Sequence, residues 1–432
     1  MRIEPSLSGR LAAPRSLRAL LRVIALASIL VGFAVSAQTP SETPASANST
    51  AAAEAAAAPR IGVATMSPGT IFFERFGHNA IVVDDPTQPV PLSYNFGFFD
   101  MAEDGFIGRF VRGEMMYRLV ELPLTDDLRY YEESGRGVRM QWLALSDAQA
   151  IAMAAALAEN AKPENARYRY EYFTDNCATR VRDAIDRALG GTLEKQLKSR
   201  SQGNTYRSEA VRLASPAPWM WLGFDLGLGP ASDEPLSRWE DAYVPMRMAD
   251  SLRDVRLPDG RPLVSADRTL LPHRIDPEPA EFLPVWWQWT LGGFAVAGLW
   301  LAWRARAPRT AAAFALGFWV FAVLLGGTML FVWLGTEHRF GWANRNLLLL
   351  GPQCALLWLG GWRALRGRDP GRVFRLALMA VVALAALSPL VYWVTAGAQA
   401  NAHWIGALLP IHAAFAFAWL RPGASVQQSS GR

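Results

Sequence analysis

From residue 285 to residue 420 the chain is a succession of apolar segments, each close to the roughly 20 residues a helix needs to cross a hydrocarbon core. Five spans are expected there: Val285–Trp303, Thr310–Leu334, Asn346–Trp362, Phe374–Val394 and Ala402–Leu420. Trp286, Trp287 and Trp289 stand at one end of the first and Trp300 and Trp303 at the other, as an aromatic belt would. Composition shifts sharply near residue 284, and the more polar stretch 60–275 is long enough for one globular core. The fold class that follows is α+β for a soluble domain over 60–275, then an all-α membrane domain over 284–420 and a tail over 421–432.

The basic residues orient these spans. Arg304, Arg306 and Arg309 follow the first, and Arg363, Arg366, Arg368, Arg372 and Arg375 follow the third. The loop after the second sets Arg339 and Arg345 against Glu337, and the loop after the fourth has no basic residue. The positive-inside rule puts the first pair of loops, and the tail, in the cytoplasm and the soluble domain outside. The N-terminus agrees. Arg2, Arg10, Arg15, Arg18 and Arg22 precede an apolar stretch, Val23 to Val35, and Val35-Ser36-Ala37 offers small residues for cleavage, so 1–37 reads as a signal peptide. Uncleaved, it would anchor the chain with the same orientation. Residues 38–59, nearly all Ala, Ser, Thr, Pro and Glu, form a flexible tether. The pI of about 9.4 partly reflects the loop arginines. With neither a zinc-finger spacing nor an RNA-stacking motif, it does not indicate a nucleic-acid partner.

An exported domain meets an oxidising compartment, where structural cysteines come in pairs. The chain has two cysteines: Cys354 in an apolar run, and Cys177 in the soluble domain without a partner there. Ala178, Val181, Ile185, Ala188 and Leu189 repeat at helical spacing after it, Asp175 or Asn176 supplies a cap, and Gly190-Gly191 ends the helix. Cys177 thus falls in a first turn, where the helix dipole and free amides favour a thiolate. A small buried hydrophobe is the competing role for such a cysteine. A nucleophile needs a base. Of five histidines only His78 and His273 lie in the soluble region, and His273 beside Pro272 reads as juxtamembrane. His78, in Phe76-Gly77-His78-Asn79-Ala80, is the better choice, with Asn95 as its orienting group and Asp84 as a weaker one.

Around these residues, strands are expected over Ile61–Met66, Ile71–Phe73, Ala80–Val83, Leu92–Phe99 and Arg167–Phe173, and helices over Leu145–Leu157 and after the capping box Ser237-Arg238-Trp239-Glu240. The stripe Tyr168, Tyr170, Tyr172 reads as core packing.

The segments Phe76-Gly77-His78-Asn79, Tyr94-Asn95-Phe96-Gly97-Phe98-Phe99-Asp100, Phe110-Val111-Arg112-Gly113 and Tyr172-Phe173-Thr174-Asp175-Asn176-Cys177-Ala178-Thr179-Arg180 resemble the periplasmic domain of the Lnb family of bacterial lipoprotein N-acyltransferases. The resemblance runs from about 60 to 250. It implies a circularly permuted papain-like fold related to NlpC/P60 peptidases, with Cys177 as nucleophile and His78 as base, in the periplasm on a multi-pass inner-membrane protein. It implies no cofactor or metal. The implied reaction moves an acyl chain from a phospholipid through a Cys177 thioester to the N-terminal amine of a lipoprotein, with His78 as proton acceptor. The resemblance does not match a third catalytic residue, for which Asn95 stands as the candidate from its place in the sequence.

Several residues are candidates for holding substrate: Asn176 beside the thiol, and His338 and Arg339 in the external loop 337–345, where Arg339 or Arg345 would meet a phosphate. His403 and His412 are polar groups in a membrane span. Trp219, Trp221 and Phe224 either dip toward lipid or pack in the core. Two other functions share the same features: a periplasmic cysteine peptidase or amidase acting on peptidoglycan, and a non-enzymatic membrane-anchored binding domain.

Overall fold

Strand β1 (Arg60–Met66) pairs antiparallel with β2 (His78–Asp84) in a register running from Arg60 opposite Asp84 to Met66 opposite His78. It anchors the middle of a seven-stranded antiparallel sheet. The others are β3 (Leu92–Phe98), β4 (Met116–Pro123), β5 (Val138–Leu143), β6 (Arg167–Arg169) and β7 (Val264–Leu271), in the order β6-β4-β3-β2-β1-β5-β7. The computed structural model describes residues 57–281, 285–395 and 397–420, so the expected signal peptide, most of the tether and the tail lie outside the described residues.

Both faces of the sheet are covered, which is why the middle of β1 and of β2 is a continuous apolar run rather than an alternation. Ile61, Val63, Ile81 and Val83 face one side, against Met153 and Leu157 of helix α1 (Asp147–Ala161), Val181 and Ile185 of α2 (Cys177–Ala188), and Met248 and Leu252 of α3 (Pro245–Asp254). Ala64, Met66, Ala80 and Val82 face the other, against Leu128 and Tyr131 of the helix Leu124–Glu133. Each fully buried aliphatic side chain in such a layer contributes about 1.5–3 kcal/mol of transfer free energy. The expected helix over Leu145–Leu157 is α1, capped by Ser146, and Ser237 caps a short helix, Arg238–Asp241.

Two expected strands are corrected. Ile71–Phe73 does not pair. The β1–β2 register leaves it in the connection, where Glu74 N donates to Ile71 O at 3.1 Å to close a 3-10 turn, and Glu74 O accepts from Gly69 N at 2.9 Å and Gly77 N at 3.0 Å. Arg167–Phe173 is a strand only to Arg169, because Glu171 takes the following backbone into a turn, its carboxylate accepting from Thr174 N at 2.8 Å and Phe173 N at 3.1 Å.

The C-terminal region forms long helices over Trp286–Arg306, Pro308–Gly335, Arg372–Val394 and Ala402–Leu420. The last three are long and apolar enough to cross a membrane; the first falls short on hydropathy, diluted by its five tryptophans. The third expected span, Asn346–Trp362, is not a continuous helix. Pro352 cannot donate and forces Gly351 into extended backbone, so the segment breaks into 3-10 turns, Arg345–Leu348 and Pro352–Leu357, before a helix over Trp358–Leu365. Side chains meet the carbonyls this leaves open: His412 Nε2 donates to Leu349 O at 2.9 Å and Gln353 Nε2 to Leu347 O at 3.0 Å. His412 is therefore a structural polar group.

The Arg309 guanidinium packs against Gly367, so the two arginine-rich loops share one end of the helices. The opposite end carries the sheet domain. Glu337 N donates to Arg112 O at 2.7 Å, and Gly229 N donates to Phe340 O at 2.6 Å. Beneath them, Asp225 on helix α4 (Pro218–Gly227) accepts from both His403 Nε2 and Trp404 Nε1 at 2.7 Å. This is what His403 does: it fastens the soluble part to the last helix.

Candidate active site

Opposite partners in an antiparallel ladder share a face, and Ala80 stands opposite Asn95 and Val82 opposite Ser93. His78, two residues before Ala80, is thus the diagonal neighbour of Asn95 on the face covered by the helix Leu124–Glu133. The side chains meet there. His78 Nε2 lies 3.0 Å from Asn95 Oδ1, and Asn95 Nδ2 donates to Asp127 Oδ2 at 2.7 Å and to Ser93 Oγ at 3.0 Å. Ser93 Oγ also donates to Asp127 Oδ2, at 2.5 Å.

This chain of contacts has a direction. A carboxylate only accepts, so Asp127 holds the NH2 end of Asn95 toward itself and turns Oδ1 toward the imidazole. Oδ1 also only accepts, so His78 Nε2 carries the proton. That leaves Nδ1 for Cys177, as acceptor from the thiol or as donor to a thiolate.

Cys177 opens α2, as expected, and Asn176 is its cap. Thr179 N donates to Asn176 Oδ1 at 2.9 Å and Asn176 N donates to Thr179 Oγ1 at 2.8 Å, a reciprocal box that fixes the first turn. Asn176 Nδ2 donates to Tyr172 O and Tyr243 O, each at 3.0 Å. These bonds engage the Asn176 amide and its backbone N–H in building the turn beside the thiol.

Burial alone would push the Cys177 thiol up. The charge of His78, its hydrogen bond, and the backbone N–H groups of Asn79 and Ala178 outweigh it and hold the thiol below its ordinary range. For His78, burial pulls the imidazole down, but Cys177, Asn95 and the Asp127 charge raise it above its ordinary value. Both shifts favour a thiolate–imidazolium pair. Gly97 borders the pair: at φ +94° on an irregularity in β3, it takes a left-handed backbone that favours glycine, and a Cβ there would lie 3.7 Å from Cys177 Cβ, at ordinary contact distance.

The structure brings Cys177, His78 and Asn95 together. Asp84 sits at the far end of β2, paired with Arg60 at 3.7 Å, six residues or about 20 Å of strand from His78. His273 is a structural residue, accepting from Gly137 N at 3.1 Å. Arg339 and His338 do reach the domain beside the site, but as clamps. Arg339 Nη2 donates to Thr174 Oγ1 at 2.5 Å and lies 3.8 Å from Glu171, while His338 Nε2 donates to Phe110 O at 3.0 Å. Tyr168 is core packing, as expected, with Arg180 over its ring at 4.1 Å.

Asp127 was not anticipated. Its signal was the pair of polar residues, Ser93 and Asn95, on one face of an otherwise apolar strand, which require a buried partner. Among the described residues no cluster of His, Cys, Asp or Glu could hold a metal ion.

Neither a curated protein nor a solved structure matches the chain. Residues 50–212, which contain His78, Asn95, Asp127 and Cys177, match the family model of the Lnb N-terminal periplasmic domain. The similarity ends at residue 212; beyond it lie three helices long and apolar enough to cross a membrane.

Proposed function

We propose that this protein is a cysteine-dependent acyltransferase that moves an acyl chain from a phospholipid to the N-terminal amine of a lipoprotein at the bacterial inner membrane. The observation that carries the reading is the Cys177–His78–Asn95–Asp127 chain of contacts on a domain fastened to apolar helices.

The Cys177 thiolate attacks an ester carbonyl carbon, and the N–H groups of Asn79 and Ala178, which converge on the sulfur, are the donors nearest the oxyanion. Collapse breaks the ester bond. The departing alkoxide takes the imidazolium proton and leaves as a lysophospholipid, while the acyl group stays as a thioester and His78 is neutral. The lipoprotein's neutral amine then attacks the thioester carbon and gives its proton to His78 Nδ1. The C–S bond breaks, the amide departs, and the thiolate–imidazolium pair is restored. Asn95 and Asp127 keep the Nε2 proton in place through both steps.

The test uses the full chain in phospholipid nanodiscs carrying radiolabelled acyl chains. A hydroxylamine-labile label on the protein that vanishes in Cys177→Ser, together with loss of N-acylated lipoprotein termini by mass spectrometry, is the expected result. Normal N-acylation with Cys177→Ser would overturn the reading.

A further inference from the structure

The segment Ile71-Phe72-Phe73, corrected above from strand to turn, lies on the surface. Its three side chains are 45%, 44% and 44% exposed. Consecutive apolar groups in water are costly unless something covers them. Phe72 stacks on Trp219 with ring centroids 6.1 Å apart, and Trp219 is itself 66% exposed. Phe76, in the same connection, packs edge-on against Phe224 at 5.7 Å. The turn is thus mounted on α4, the helix whose Asp225 is held by His403 and Trp404 at the start of the last apolar helix. Trp221 of α4 lies 6.2 Å from Trp289, at the start of the first long helix. These contacts put the exposed rim level with the outer ends of the helices, where tryptophans mark the edge of a bilayer.

The rim also leads inward. Phe73 meets Phe99 at 5.4 Å, Phe99 stacks on Tyr117 at 4.9 Å, and Tyr117 stacks on Tyr170 at 4.3 Å. Tyr170 Cε2 and Cys177 Cβ each lie 3.7 Å from the space Gly97 leaves open. An aromatic wall therefore runs from the exposed turn to the thiol.

We infer that Ile71, Phe72, Phe73 and Trp219 form a membrane-dipping rim, and that phospholipid acyl chains enter from the bilayer over it and along Phe99 to Cys177. The occupant is lipid rather than a protein partner, because the rim is continuous with the helices that meet the hydrocarbon. This rests on the acyl-transfer reading for its use, though not for its contact with lipid.

The test replaces Phe72 with the photo-crosslinker p-benzoylphenylalanine in the full chain, in vesicles of phosphatidylethanolamine and phosphatidylglycerol with tritiated acyl chains. Ile151, exposed on α1, serves as the control position. Labelled lipid adducts at 72 and few at 151 are expected; equal labelling, or none at 72, would overturn the rim. In parallel, the double variant Phe72→Ser, Phe73→Ser is expected to lower acyl transfer from vesicle lipid by at least about tenfold while iodoacetamide alkylates Cys177 at the parental rate. Transfer within about twofold of the parent would overturn the entry path. Lipid adducts at 72 in a protein that transfers no acyl group would uphold the rim and refute the acyl-transfer reading.

Discussion

Asp127→Asn isolates the part of the site that has no contact with the thiol. Asparagine fills the same volume, and because Asn95 Nδ2 and Ser93 Oγ both donate to the one oxygen, Asp127 Oδ2, its amide oxygen can take that place, so the fold is retained. What is lost is direction. An amide both donates and accepts, so Asn95 is free to turn over and present Nδ2 to His78, which places the proton on Nδ1 and removes the acceptor Cys177 needs. A hydrogen bond to a charged group is worth about 1.5–3 kcal/mol, and withdrawing it from the imidazolium shifts the ion-pair equilibrium roughly 10- to 150-fold toward neutral thiol and imidazole. The Asp127 charge, which also raises His78, is lost at the same time. The assay is single-turnover formation of the acyl-enzyme, read beside the pH profile of Cys177 alkylation. The acylation rate is expected to fall by that factor and the acid limb of alkylation to move upward, with the thermal transition little changed. An acyl-enzyme rate within about twofold of the parent and an unmoved alkylation profile would refute the directional relay.

Three further outcomes follow from the same geometry. Because the Cys177 thiol is held below its ordinary value of 9.0 and His78 above its ordinary 6.5, the reactive pair forms as pH rises through the depressed thiol value and is lost as pH rises through the raised imidazole value. Alkylation should therefore begin well below pH 9.0, and His78→Ala should shift its onset upward. Gly97→Ala is expected to cost roughly 1–2 kcal/mol from its left-handed backbone and to slow acylation, without a steric clash, since the added methyl would sit at ordinary contact distance from Cys177; thermal unfolding and single-turnover kinetics check both. Asp225→Ala leaves the buried donor His403 Nε2 without an acceptor, at about 1–3 kcal/mol, and removes the acceptor of half-buried Trp404 Nε1 as well, so it should lower the unfolding temperature in detergent. Combined with His403→Ala, the loss should be less than additive.

Legibility followed locality. The Cys177 first turn, with Asp175 or Asn176 as its cap, was readable because a cap and its helix span a few neighbouring residues. His78 was reachable by elimination, and Asn95 because one hairpin sets it diagonal to His78. Ile71–Phe73 misled, since an aromatic β-branched run looks alike whether it pairs in a sheet or stands exposed in a turn. The segment 346–362 misled for a related reason: average hydropathy does not register that Gly351-Pro352 cannot continue a helix.

Composition and periodicity were sufficient for an α+β domain followed by apolar helices, for the end of those helices that carries the arginines, and for a lone thiol at a helix start. Those features rest on burial and on hydrogen bonds within a turn. The identity of Asp127, the turning of Asn95 toward His78, and the use of His403, Arg339 and His338 as fasteners required the folded chain. Each depends on which donor faces which acceptor across long separations, 32 residues for Asn95 and Asp127 and 178 for Asp225 and His403. Such pairings are settled by how a helix lies on a sheet and how the sheet domain sits on the helices, because a buried polar group takes its direction from the neighbours that packing supplies.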